Sequence, residues 1–127
     1  MAGNLSNYLE NKLLDHFLGT TAYTMPTTVY VGLYTVAPTD AGGGTQVTGG
    51  SYARQTAAFS AAASGATSNT ANIDFAGMPA ATTVAIGIFD AITAGNLLLW
   101  GTLTANKTTD AGDTLRIATG DLDISID

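Results

Sequence analysis

The chain has 127 residues, 46% of them apolar, which is enough to bury the core of one domain. Only 11% are charged, the net charge is −6, and the four basic residues Lys12, Arg54, Lys107 and Arg116 stand singly. That argues against a phosphate-binding face for nucleic acid or an anionic membrane surface, and the absence of cysteine removes disulfides and thiolate metal sites.

The first predicted element is a helix over residues 6–19, "SNYLENKLLDHFLG". Leu9, Leu13 and Phe17 recur every fourth residue, with Leu14 and Leu18 beside them, and so form one apolar stripe. Asn7 and Glu10 have capping-box spacing, Ser6 is the alternative cap, and Gly19 suits the end. The stripe is expected to close an open end or edge of the chain's own domain, with packing on a neighbouring subunit as the alternative, leaving Tyr8, Lys12 and His16 outward.

After the helix the period changes to two. In "TTVYVGLYT", Val29, Val31 and Leu33 alternate with Tyr30, Gly32 and Tyr34, so both faces of this strand are expected to be buried. "APTDAGGG" then reads as an exposed, mobile loop. A strand is predicted from Tyr52 to Phe59, a loop or weak edge over "SAAASGATSNTA", and a short strand at "NIDF" that ends near Met78 and Pro79.

"TTVAIGIFD" is the clearest strand, with Val84, Ile86 and Ile88 on one face and Ala85, Gly87 and Phe89 on the other. "AITAGN" is a turn, and "LLLWGTL" follows as a hairpin partner. "DAGD" is another turn, and "TLRIAT" and "LDISID" close the chain. The expected architecture is mainly β: one domain over 1–127, its helix at 6–19 followed over 27–127 by an antiparallel, Greek-key-like β-sandwich of about seven strands. A small barrel is the alternative. A βαβ rhythm and a fixed-period repeat are both missing.

The residues offer little chemistry. His16 is the only histidine, no G-x-S-x-G elbow exists, and no second His or Cys could share a metal with it. Gly42–Gly44 are not followed by the Lys of a phosphate loop. Asp121, Asp123 and Asp127 share one face of the last strand, but charge on that face also discourages edge pairing. No catalytic residue, metal ligand or cofactor is therefore assigned. The rings of Tyr30, Tyr34, Tyr52 and Trp100 read as core or interface before they read as a platform for sugars or bases. Thr and Ala number 21 each, and a neutral small-residue surface suits a protein packed against other subunits. Expected contact residues are Tyr8, Lys12, His16, Tyr34, Pro38, Asp40, Tyr52 and Arg54, within or near loops at 38–50 and 60–70 and on the helix.

The order of segments resembles a family of small tailed-phage virion proteins, commonly labelled tail-fibre proteins. The similarity runs from the helix ending in Leu-Gly through "PTTVYVGL", "APTDAGGGT" and "GGSYAR" to "IGIFDA", "GNLLLWGTL" and "GDLDISID". Residues 60–79 match least. The resemblance implies a virion component without enzymatic activity; with no secretory signal or membrane-length apolar run visible in the sequence, synthesis in the host cytoplasm is expected. The implied partners of this component are the major capsid protein or tail proteins, and further copies of itself, a trimer being expected. The sequence holds no repeats with which to build a shaft, so the first expectation is a capsid decoration (cement) protein. A small tail-fibre, tail-tip or baseplate protein that contributes to host attachment is the alternative.

Overall fold

The computed structural model describes residues 4–126. In chain order the elements are β1 (Asn4–Leu5), α1 (Asn7–Phe17), β2 (Val29–Val36), β3 (Thr45–Gln46), β4 (Gln55–Ala57), β5 (Ala66–Ser68), β6 (Ile73–Met78), β7 (Ala81–Phe89), β8 (Leu97–Thr109), β9 (Asp113–Ile117) and β10 (Asp123–Ser125). The large sheet runs β1-β8-β7-β2-β3, and β4 shares with β3 the outer edge of β2. Two antiparallel ribbons, β6 with β9 and β5 with β10, supply the second layer. The sandwich-like, mainly β architecture behind one short helix is the expected one.

Alternation explains why β2 and β7 lie at the centre. Val31 and Leu33 from β2, with Ile86 and Ile88 from β7, face a core completed by Ile73, Phe75 and Met78 of β6, Leu115 of β9 and Ile124 of β10. The opposite face of the same two strands buries Tyr34, Ala85 and Phe89. Tyr34 and Phe89 stack there at 6.3 Å. Gly32 and Gly87, paired across the two strands, make that stack possible. A Cβ at Gly87 would lie 2.8 Å from Leu97 Cδ1 and 2.9 Å from Tyr34 Cε2.

Several strand boundaries depart from the sequence pattern. A bulge breaks the β7–β8 register between Thr83 and Ala85. It turns Val84 onto the Tyr34 face and leaves Thr83 fully buried. The strand expected from Tyr52 to Phe59 contracts to β4, because Tyr52 leaves the sheet line to fill the core beside Phe75. Within the segment read as a loop or weak edge, β5 pairs with β10. Asn69, just after β5, is buried: its amide donates to Ala71 O and Ala118 O and accepts from Leu122 N. That side chain replaces backbone pairing where the chain turns.

Helix α1 is capped by Ser6, whose hydroxyl accepts from Leu9 N at 3.2 Å, rather than by Asn7. Ser6 also ties the helix start to β8, through its N–H to Leu98 O and its hydroxyl to Leu97 O. At the other end Gly19 takes φ +77°, where a Cβ would be strained.

Candidate assembly surface

Only the first half of the helix packs. Leu9 is buried and Leu13 half-buried, whereas Leu14 is 57%, Phe17 73% and Leu18 77% exposed. Met25, in the segment after the helix, is 77% exposed. Phe17, expected in the stripe that closes the domain, therefore stands in solvent. The physical reason is that α1 is held at its N-terminal end, by Ser6 on β8 and by Asn7 N–H on Asp40 O, and projects beyond the sheet. These large apolar side chains on one projecting element are what an interface needs and a monomer's surface rarely offers.

The polar groups around this ridge hold it in shape. Lys12 Nζ lies 5.6 Å from the Tyr8 ring centroid. His16 Nδ1 accepts from Tyr23 N–H at 3.1 Å, folding the following segment back along the helix. His16 is thus a local tether. Among the described residues, no three His, Asp or Glu side chains come together as a metal site would require.

The remaining expected contact residues divide by burial. Pro38 is buried, whereas Thr39–Ala41, Gly43 and Gly44 of the same loop are exposed, as expected, and the loop is pinned at a few points. Thr39 and Gly42 exchange both backbone hydrogen bonds at 2.8 Å, and Asp40 Oδ1 accepts from Trp100 Nε1 at 2.9 Å. Asp40 itself is exposed. Tyr34 is 3% exposed, which places its ring inside the fold. Tyr52 is half-buried; its hydroxyl accepts from Leu33 N–H at 2.8 Å and its ring stacks on Phe75. Burial pushes the phenols of both tyrosines above the ordinary range. A surface-contact role does not match the burial of Tyr34 and Pro38, whereas Tyr52 keeps part of its surface open.

Arg54 lies 3.5 Å from the Phe89 ring centroid. Its Nη1 donates to Ala91 O and Ala94 O, and its Nε to Gln46 Oε1. It clamps the loop between β7 and β8 against the strand edge and lines a groove of about 450 Å³.

The family described as Podophage GP4 fiber I protein gp80 matches residues 4–125. The chain belongs to this phage fibre family. No curated protein matches it. Membership of the gp80 family makes the chain a virion component, as its segment order implied. The match begins before α1, so the helix and its exposed ridge are part of the gp80 unit.

Sequence reasoning favoured burial of the helix stripe in the chain's own domain over packing on a neighbour, and so did not single out Leu14, Phe17 and Leu18 as an exposed surface. Leu14 and Leu18 were visible beside the stripe, and four apolar positions on an eleven-residue helix with a fifth at its C-cap cover more than one core-facing side. That excess was the available signal. Met25 and Trp100 carry no such periodicity, and only the folded chain places them.

Proposed function

We propose that this chain is a non-enzymatic structural subunit of a phage tail fibre or tail tip. It assembles with further copies of itself and with neighbouring tail proteins, and it contributes to host attachment. The observation that carries the proposal is the solvent-facing ridge of Leu14, Phe17 and Leu18 on a chain of the fibre family. Burying such side chains contributes about 1.5–3 kcal/mol each, so covering several per copy favours association. A closed ring, with three-fold symmetry the expected case, would let every copy cover its ridge.

Capsid decoration is supported by the low charge and small-residue surface. Those features suit any packed virion subunit, whereas the family description names a fibre. Immunogold labelling of intact particles with an antibody raised against the purified chain tests the assignment. Gold on the tail is expected; gold spread over the capsid shell would replace it with decoration.

A further inference from the structure

The groove beside Arg54 has a property that its structural role does not explain. Its lining includes Gln46, Thr48, Tyr52, Arg54 and Thr93, with Ala53 at its wall. Arg54 is a partly buried guanidinium, and among the described residues it forms no ion pair. Its hydrogen-bond partners inside the chain are all neutral. Asp90 is near enough to favour the charged form, but it lies outside ion-pair distance, and both its oxygens are taken by Asn96, at 2.7 and 2.8 Å.

Charges removed from water are ordinarily paired. Among the described residues only Arg116 of the four basic side chains pairs with a carboxylate; Lys107 is solvated, Lys12 lies over the Tyr8 ring, and Arg54 is the unpaired guanidinium that is partly withdrawn from water. The groove also has donors to spare. Among the described residues, Arg54 Nη2 and the Gln46 amide nitrogen have no acceptor, and the Thr48 and Thr93 hydroxyls make no hydrogen bond. Arg54 is fixed beforehand by Phe89 and two carbonyls, so little side-chain freedom is lost when an anion arrives.

We propose that this groove binds a carboxylate-bearing sugar of monosaccharide size, its carboxylate on Arg54 Nη2 and the Gln46 amide and its hydroxyls on Thr48 and Thr93. The volume lies within the usual range for small-ligand sites. An acidic segment from another copy fits less well. The aspartate-rich end of this chain is held by Leu122 and Ile124 in its own core, and Asp113 in the 110–113 turn accepts from Asp110 N–H. The assignment deepens the host-attachment half of the proposed function and rests on it; particle labelling tests the tail location separately.

The test is titration of the intact chain with D-glucuronate and, in parallel, D-glucose, followed by amide and guanidinium NMR shifts. Saturable shifts at Arg54, Thr93 and Ala94 with glucuronate, and none with glucose at equal concentration, are expected. Ala53→Glu places a carboxylate of the chain's own at the groove wall, and it should weaken glucuronate binding at least tenfold while Ala53→Gln does not. Thermal midpoints of both variants confirm that they are folded. An absent or non-saturable glucuronate response, an equal response to glucose, or unchanged binding by a folded Ala53→Glu chain would each overturn the proposal. A response to a peptide of residues 108–115 in place of glucuronate would likewise overturn the sugar assignment.

Discussion

Replacing Tyr52 by Phe removes one oxygen and tests how the large sheet is completed. The outer edge of β2 is shared by β3, which pairs at Tyr34 and Val36, and β4, which pairs from Val29 to Val31. Leu33 N–H falls in the gap between them and donates to the Tyr52 hydroxyl at 2.8 Å. Leu33 is fully buried, so water cannot easily substitute. In Tyr52→Phe the ring keeps its stack on Phe75, and the loss is confined to one orphaned backbone donor, about 1–3 kcal/mol. With a urea slope typical of a small domain, the midpoint falls by roughly 1 M while the slope stays constant. Hydrogen exchange at the Leu33 amide should accelerate by more than the global loss explains. Tyr52→Ala, which also removes the ring, should cost about 3–5 kcal/mol. A Tyr52→Phe midpoint equal to wild type, with Leu33 still protected, would refute the reasoning and return Tyr52 to the set of free surface residues.

Gly87→Ala should destabilise by about 1–3 kcal/mol, read by thermal melting, because the added methyl meets Leu97 and the Tyr34 and Phe89 rings inside contact distance. Asn69→Ala should cost about 2–4 kcal/mol in urea unfolding, since Leu122 N–H and the Ala71 and Ala118 carbonyls lose their partner together. Leu14→Gln, Phe17→Ser and Leu18→Gln combined should lower the mass seen by light scattering to that of one chain with only a small change in melting temperature; an unchanged oligomer mass counts against the ridge. The phenols of Tyr34 and Tyr52 are raised above 10.0 by burial, so the stability they contribute is present below that pH and is lost as pH rises through the raised values. The urea midpoint should therefore fall steadily above about pH 10, less steeply in Tyr52→Phe; a flat profile to the alkaline limit would show that neither phenol titrates differently on unfolding.

The sequence reads clearly where one physical preference acts alone. Helix α1 was legible from its apolar spacing and its terminal Ser6 and Gly19, and β2 and β7 from two-residue alternation with apolar side chains on both faces. It reads poorly where a distant group replaces a local signal. β5 holds only Ala, Thr and Ser, and it becomes a strand through β10 and the buried amide of Asn69. Val84 follows strict alternation in sequence, yet the bulge beside it reverses its face. The glycine-rich loop looks mobile because glycine and aspartate favour turns, but Pro38 is buried and Trp100 holds Asp40 from sixty residues away. The same limit applies to function. An amphipathic pattern gives the apolar side of a helix and not what covers it, so the exposed Phe17 and Leu18 emerged only with the fold. Arg54 was legible as an isolated cation, whereas its spare Nη2 donors depend on carbonyls contributed by residues 91 and 94.

Copy number in purified particles tests the central claim most directly. Quantitative mass spectrometry of intact virions, scaled to the major capsid protein, separates the two sites by more than any plausible calibration error. A tail subunit predicts a small count, from a few copies to a few tens, that follows detached tails when particles are disrupted. Hundreds of copies remaining with the capsid shell would contradict the tail assignment.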